Sequence, residues 1–315
     1  MSAQLRIMVV DYLRVRRSLG YKLAGTEHLL FAFVDYLEDH DAPTITVEHA
    51  VKFAVAPSGV SPRWHALRLS AIRCFTRWAH TLDPDVQIPP ARLLPARATR
   101  AAPYLYTGTE VTALLEAADE LRPAIRATTF HTLLALMSAT GIRTGEALGL
   151  DLTDFDAQAG TLTVTGKFGK TRMLPLHETV TTGLGDYLLV RTDHLGGAGC
   201  PALLINTAGT RLAPGMVHPT FRQLTDRAGL TRVSSACRPH LHDLRHTFAV
   251  NTMLDAYRNG GDPSVVLPVL STWLGHAEPS DTYWYLTGTT ELLAAATDRL
   301  EMARDDLDDG AGEQS

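Results

Sequence analysis

Histidine and arginine side chains are concentrated in the segment PHLHDLRHTFA, residues 239–249. If this segment is helical, His242 shares one face with Arg245, three residues on, and with His246, four residues on. A guanidinium and imidazoles on one face can hold a phosphate through charge-assisted hydrogen bonds. The segment is therefore the first candidate for chemistry on a phosphate group.

A metal site is the alternative for the same histidines. Two histidines four residues apart can bind zinc, and His240, His242 and His246 together would suit a metal-dependent hydrolase. The segment lacks the glutamate of the His-Glu-x-x-His motif, and Arg245 on the same face would repel a cation. We therefore expect no bound metal and no other cofactor, while a loss of activity with a chelator would favour the hydrolase.

A second arginine lies in TGIRTGE, residues 140–146, where a glycine-containing turn leads into a helix. Both the guanidinium of Arg143 and the free backbone N–H groups of a helix start attract anions. The alternative is a structural ion pair between Arg143 and Glu146, three residues on. We expect Glu146 to be structural.

A lysine occupies the turn of a predicted β-hairpin. β-Branched residues alternate over 161–164, the turn GKFGK follows, and the pattern resumes over 171–176. An ammonium group on such a turn can enter a cleft and donate a proton, so Lys167 is a candidate acid, with a solvated turn residue as the alternative. Lys170 and Arg172 are expected to contact phosphate or to lie on the surface.

The last two candidates are His276 in WLGH and Tyr285, nine residues later in the run YWY. Taken singly, each has a structural alternative, since a histidine can be buried with its hydrogen bonds satisfied and a tyrosine can pack in a core. A tyrosine hydroxyl can also act as a nucleophile. The occurrence of all five segments in this order indicates chemistry on a phosphodiester.

The five segments resemble the motifs of the tyrosine recombinase, or phage integrase, family. The resemblance covers about residues 105–300: TGIRTGEALGL carries the first arginine, GKFGKTRMLPL the hairpin lysine, HDLRHTFA the second box, and LGH and TYWY complete the set. Phe168 replaces the small residue usual in the hairpin turn, and the stretch 257–268 is longer than is common in the family. Neither departure removes a functional group.

The resemblance implies the role of each site residue. The implied catalytic set is Arg143, Lys167, His242, Arg245, His276 and Tyr285. Tyr285 would be the nucleophile, the arginines and histidines would bind the phosphate, and Lys167 would protonate the leaving 5′ oxygen. The implied product is a 3′-phosphotyrosyl link formed without metal or ATP. Tyr283 is the competing nucleophile, but the spacing from His276 and the preceding Thr282 favour Tyr285.

The resemblance also implies the partners. These are double-stranded DNA with a specific recombination site, as in a mobile genetic element, and three further copies of the chain in a tetramer on synapsed DNA, with a partner recombinase as an alternative. Residues 289–304 look like a final helix given to a neighbouring protomer. Two other interpretations remain open: an accessory DNA-binding protein of integrase descent that does not cut DNA, and a relaxing topoisomerase with the same phosphotyrosine chemistry.

The elements that must position these residues are mainly helical. Apolar residues recur at helical spacing through the first 95 residues, and five prolines between Asp83 and Pro103 mark a linker. The expected fold is mainly α with a small β-hairpin or sheet. We predict a helical core-binding domain that clamps DNA (1–95), a linker (96–105), an α+β catalytic domain (106–304) and an acidic, disordered tail (305–315).

Charge and hydropathy add little to this assignment. The 315-residue chain has a net charge of −5, yet residues 1–100 carry +4 and residues 301–315 carry −5, so a locally basic face is compatible with the total. The apolar runs are too short for a membrane helix, and the N-terminus lacks the layout of a signal peptide. We expect a cytoplasmic, nucleoid-associated protein with no membrane partner and three reduced cysteines.

Overall fold

The computed structural model describes residues 2–95, 103–166, 169–197, 199–234, 237–259, 261–276, 282, 292, 294 and 297. The chain divides into two compact units, Met1–Arg100 and Ala101–Ser315, and the division falls inside the predicted linker. Lys167, Tyr285, the tail 305–315 and most of the segment 289–304 lie outside the described residues.

The first unit is helical, as predicted. Its helices are α1 (Ser2–Ser18), α2 (Ala24–Asp39), α3 (Val47–Val55) and α4 (Pro62–Ala79). Thr46 and Ser61 start α3 and α4 by accepting a hydrogen bond from the backbone N–H three residues on, and Pro62 occupies the first turn of α4. Apolar side chains from all four helices form one buried cluster, so this unit has a core of its own.

The second unit is also mainly helical. Its helices are α5 (Gly108–Asp119), α6 (Ala124–Thr140), α7 (Thr144–Gly149), α8 (Glu178–Leu195), α9 (Pro214–Arg227), α10 (Asp243–Arg258) and α11 (Pro263–Leu274). Thr107 starts α5 in a capping box with Glu110. No helix in the described part of the chain is both long and apolar enough to cross a membrane.

The predicted hairpin is present and is part of a three-stranded antiparallel sheet. Its strands, β1 (Phe155–Asp156), β2 (Thr161–Thr165) and β3 (Thr171–Pro175), lie in that order. Strands β2 and β3 pair from Thr161 opposite Pro175 to Thr165 opposite Thr171. Leu162, Val164 and Leu174 are buried and their neighbours are more exposed, which explains the alternation in the sequence.

Helix α6 is the centre of the second unit. It is apolar on all sides and is buried along most of its length, because helices α5, α7, α8 and α10 contact it. A separate apolar cluster lies between α10 and α11 and includes Leu292. Helices α6, α10 and α11 therefore hold fixed relative positions, and their ends carry the residues of the candidate site. The predicted fold class, mainly α with a small sheet, is confirmed.

Candidate active site

Arg245 joins the ends of three helices. It lies in the first turn of α10 and is fully buried. Its Nη1 atom donates to the carbonyl oxygen of Gly141, just after α6, at 2.8 Å, and its Nη2 atom donates to that of Leu274, at the end of α11, at 2.8 Å. The Nη2 atom also lies 2.8 Å from Nε2 of His276. These bonds fix the guanidinium plane.

Arg143 reaches the same point from the other side. It follows the turn at Gly141 and precedes α7, so the end of α6 places it beside the end of α11. Its Nη1 atom donates to the carbonyl oxygen of Leu274 at 3.3 Å, and Nη2 donates to that of Gly275 at 3.4 Å. Arg245 and Arg143 thus share the carbonyl oxygen of Leu274, and the side chain of Arg143 keeps 31% of its surface exposed.

His242 stands beside the two arginines, at the start of α10. Part of its ring is exposed. Desolvation by the surrounding protein lowers the pKa of His242, and the positive charges of Arg245 and Arg143 lower the pKa further. The imidazole is therefore neutral at pH 7 and can accept a proton. The ring of His246 meets it edge-on, with 5.0 Å between ring centroids.

His276 completes the group. It follows the glycine that ends α11, Gly275, which has a positive φ of 67°. One ring nitrogen contacts Arg245, and the other, Nδ1, lies 2.7 Å from Oγ1 of Thr282. The structure thus brings together four of the six predicted site residues: Arg143, His242, Arg245 and His276. It does not describe the other two, Lys167 and Tyr285.

Glu146 holds Arg143 in place. The predicted ion pair is present, with Arg143 Nη1 2.9 Å from Oε1 of the carboxylate, and the backbone N–H of Arg143 donates to Oε2 at 2.9 Å. Burial alone would raise the pKa of Glu146, but hydrogen bonds from Arg172 and Arg143 outweigh burial and lower the pKa. The carboxylate stays charged and fixes the orientation of the first arginine.

Arg172 bonds to Glu146, a role that the sequence did not indicate. We predicted a phosphate contact or a surface position for Arg172, and the surface position is wrong, because only 12% of its side chain is exposed. Its Nη2 atom donates to Oε2 of Glu146 at 2.8 Å, and its Nε atom donates to the carbonyl oxygen of Trp273 at 2.6 Å. The reason is that a buried carboxylate needs more than one partner, so β3 supplies a second cation to Glu146.

His240, the remaining histidine of the alternative metal site, bonds to other side chains. Nδ1 of His240 lies 3.4 Å from Oδ2 of Asp243, and its Nε2 atom accepts a hydrogen bond from Arg238 at 3.1 Å. Over the residues that the structure describes, no three His, Cys, Asp or Glu side chains are arranged to hold a metal ion.

Comparison with known proteins assigns the chain to a family. A model of the phage integrase family matches residues 105–291. The chain is 43% identical over 308 residues to the putative integrase/recombinase y4rB of Sinorhizobium fredii, covering 96% of this chain and 98% of that protein. The chain belongs to the phage integrase family.

A further sequence similarity places this member among the tyrosine recombinases. The integrase-family chain is 31% identical over 305 residues to tyrosine recombinase XerD of Mycobacterium leprae, covering 90% of this chain and 92% of that one. Its fold is similar to that of lambda integrase in a crystal structure of a tetramer bound to a Holliday junction, with a TM-score of 0.61 at 19% identity, covering 89% and 76% of the two chains. The sequence-based assignment to this enzyme family is confirmed.

Gly141 shapes the turn between α6 and Arg143 in this recombinase. Its φ is +63°, and a Cβ atom there would lie 2.5 Å from Cδ1 of Phe248. We expect Gly141→Ala to destabilise the protein by about 3 kcal/mol, from left-handed strain plus overpacking. Gly160→Ala is the control, because Gly160 has φ +60° but no non-neighbouring atom closer than 3.8 Å, so only the strain applies. Urea unfolding measures both, and equal losses would contradict the predicted clash.

We expect His246 to make the recombinase less stable in acid. The ring is buried, and desolvation, followed by repulsion from His242 once that ring is protonated at low pH and from the charge of Arg245, lowers the pKa of His246 from 6.5 to about 3. Between these values the unfolded chain binds a proton that the folded chain does not. The stabilisation is therefore complete above pH 6.5 and is lost as the pH falls toward 3, by about 2 kcal/mol at pH 5.

The His246 contribution can be isolated by comparing variants. The wild type should lose unfolding free energy between pH 7 and pH 5. In His246→Gln this loss should be smaller by about 2 kcal/mol. His218→Gln, at an exposed histidine, should keep the wild-type difference. An unchanged pH difference in His246→Gln would show that another group causes the acid sensitivity.

Proposed function

We propose that this chain is a site-specific DNA recombinase that cuts and rejoins strands through a 3′-phosphotyrosyl intermediate, without metal or ATP. The observation that carries the proposal is the convergence of Arg143, His242, Arg245 and His276 at the ends of α6 and α11. Two guanidiniums and two imidazoles at one point suit a single phosphate group. Membership of the tyrosine recombinase family supports the same chemistry.

The arginines and histidines would stabilise the transition state. Attack on a phosphodiester increases negative charge on the non-bridging oxygens, and prearranged donors offset that charge. Arg143 is partly exposed and is held by Glu146 through both its backbone and its side chain, so its guanidinium is already oriented for an incoming phosphate. Arg245, His242 and His276 would supply the remaining donors.

Proton transfers would involve three side chains. The phenol oxygen of Tyr285 forms a bond to phosphorus as the bond from phosphorus to the 5′ oxygen breaks. His242 would take the phenol proton, because its ring is neutral at pH 7 and can accept it. Lys167 would give a proton to the leaving 5′ oxygen. The reverse steps rejoin the strand, so no external energy source is needed.

The two units and the assembly have proposed roles by analogy with the relatives. We assign DNA clamping to the unit before the linker and catalysis to the unit after it. The lambda integrase tetramer on a Holliday junction supports a tetramer of this chain on synapsed DNA. Residues 289–304 would contact a neighbouring protomer in that tetramer. We expect the protein to act in the cytoplasm, on DNA of a mobile element.

Trapping the intermediate tests the proposal. Wild-type protein is incubated, with a chelator present, with nicked suicide substrates that carry candidate sites from the flanks of its own gene. The expected result is a protease-sensitive protein–DNA adduct that forms only on some sites. Loss of activity with chelator would favour the metal-dependent hydrolase. Relaxation of supercoiled DNA lacking any such site would indicate a topoisomerase, and tight binding without an adduct would indicate an accessory protein.

A further inference from the structure

Thr282 bonds to a site histidine from a fully buried position. Its Oγ1 atom lies 2.7 Å from Nδ1 of His276, and the opposite ring nitrogen, Nε2, lies 2.8 Å from Nη2 of Arg245. A buried hydroxyl without a partner would cost free energy, so the bond between Thr282 and His276 is a significant part of the local structure. The imidazole is thus held from both sides.

The two bonds determine where the ring carries its proton. A guanidinium can only donate hydrogen bonds, so Nε2 of His276 must be the acceptor from Arg245. The proton of the neutral ring is then on Nδ1, which donates it to Oγ1 of Thr282. In this arrangement Nε2 has no proton to offer to a phosphate.

We propose that Thr282 is a positioning residue that sets the tautomer of His276 and lets the ring change from acceptor toward Arg245 to donor toward the scissile phosphate. The inference rests on the proposed function, in which His276 donates to that phosphate. A hydroxyl can accept from Nδ1–H or, after rotating its own proton, donate to bare Nδ1. Water takes the proton from Nδ1 and supplies one to Nε2, so the ring remains neutral.

The alternative route is less favourable. Without a hydroxyl that can reverse its role, His276 would gain an Nε2 proton either as an imidazolium or with Nδ1 left unpaired. An imidazolium would lie beside the permanent charge of Arg245, and like charges this close disfavour the charged form. An unpaired buried nitrogen loses a hydrogen bond. Thr282 avoids both costs, and it lies three residues before the proposed nucleophile.

Substitutions separate positioning from folding. Thr282→Val keeps a similar shape but removes the hydroxyl, and we expect adduct formation to slow about 10- to 100-fold, the range found for residues that orient metal-bound histidines, with unchanged DNA affinity. Thr282→Ser should restore most of the rate. Thr129→Val removes another buried hydroxyl in the same unit, and its rate should match the wild type. A wild-type rate in Thr282→Val would overturn the proposal.

A double-mutant cycle tests whether Thr282 acts through His276. In a His276→Ala background, Thr282→Val should cause no further slowing, because the ring that it orients is gone. If the two effects multiply, Thr282 acts only on the fold and the proposal is overturned. Melting temperatures of all variants, measured on the full chain, identify any that are simply unfolded.

Nitrogen NMR of the DNA-free full chain gives a readout that is independent of activity. With histidines labelled with ¹⁵N and the His276 signals assigned by their loss in His276→Ala, the wild-type ring should be the neutral Nδ1–H tautomer. A ring protonated on Nε2 would overturn the proposal. If this tautomer is present but wild-type protein forms no adduct on any substrate, the proposed function fails and the assigned role in cleavage fails with it, while the bond between the two residues stands.

Discussion

Tyr285→Phe is expected to abolish the covalent adduct while leaving DNA binding unchanged. The phenylalanine ring has no hydroxyl oxygen, so it cannot form a phosphate ester, and no other step of the proposed chemistry can replace that bond. The expected signal is the background of the assay. The measurement is gel separation of adduct from free suicide substrate, with a binding assay on the same DNA to show that the variant is folded and competent to bind.

Tyr283→Phe is the matched control for this experiment. It removes the same atom two residues earlier in the run YWY and should keep adduct formation. The choice between the tyrosines rests on the nine-residue step from His276. Loss of adduct in Tyr283→Phe but not in Tyr285→Phe would move the nucleophile to Tyr283, and loss in neither would exclude both tyrosines.

Arg245→Ala is expected to slow cleavage by about 10³-fold, the usual effect of removing a prearranged cation from a phosphoryl-transfer site. It should also destabilise the protein, because the carbonyl oxygens of Gly141 and Leu274 each lose a buried donor. Loss of the donor to Gly141 costs about 1–3 kcal/mol, whereas the carbonyl oxygen of Leu274 keeps the bond from Arg143. Cleavage is therefore measured well below the melting temperature, with the folded fraction determined in parallel by urea unfolding.

Arg191→Ala separates the catalytic loss from the structural one. Arg191 is also a buried arginine of the second unit, and its guanidinium donates to the backbone carbonyls of Cys200 and Ala202. The variant should lose stability to a similar degree and keep the wild-type cleavage rate per folded molecule. If both variants slow cleavage equally, Arg245 contributes to the fold alone.

Local signals in the sequence were sufficient to predict the helices and the hairpin. Apolar residues at helical spacing predicted the helices of the first unit, and alternating residues predicted strands β2 and β3. These features depend on neighbours in sequence, where backbone hydrogen bonding and side-chain period are decided. The same is true of the turn at Gly141, because a glycine at the end of a helix favours the left-handed conformation found there.

The candidate site required long-range contacts that spacing alone does not specify. Motif order identified Arg143, His242, Arg245 and His276, but not that both arginines donate to the carbonyl oxygen of Leu274. That contact depends on how α6, α10 and α11 pack against one another. The predictions for Lys167 and Tyr285 still rest on the motifs.

Two buried polar contacts show why the rest could not be predicted. Arg172 meets Glu146, 26 residues away; the alternation of β3 places Arg172 on the same face as buried Leu174, but it does not identify the partner of the guanidinium. In the sequence, Thr282 helped only to identify the tyrosine motif, but in the structure its hydroxyl bonds to His276. Buried polar groups must be paired, because an unpaired one loses its hydrogen bonds to water without replacement. The fold determines which partners are within reach.

The chemical linkage in the wild-type adduct is the most direct test of the proposed strand cleavage. The adduct is digested with nuclease and protease, the nucleotide-bearing peptide is sequenced by tandem mass spectrometry, and the released DNA strand is tested for labelling by a polynucleotide kinase without prior phosphatase treatment. We expect a nucleotide joined through its 3′ phosphate to Tyr285, and a released strand with a free 5′-hydroxyl that the kinase labels directly. A nucleotide on any other residue, or one joined through a 5′ phosphate, would contradict the proposed mechanism.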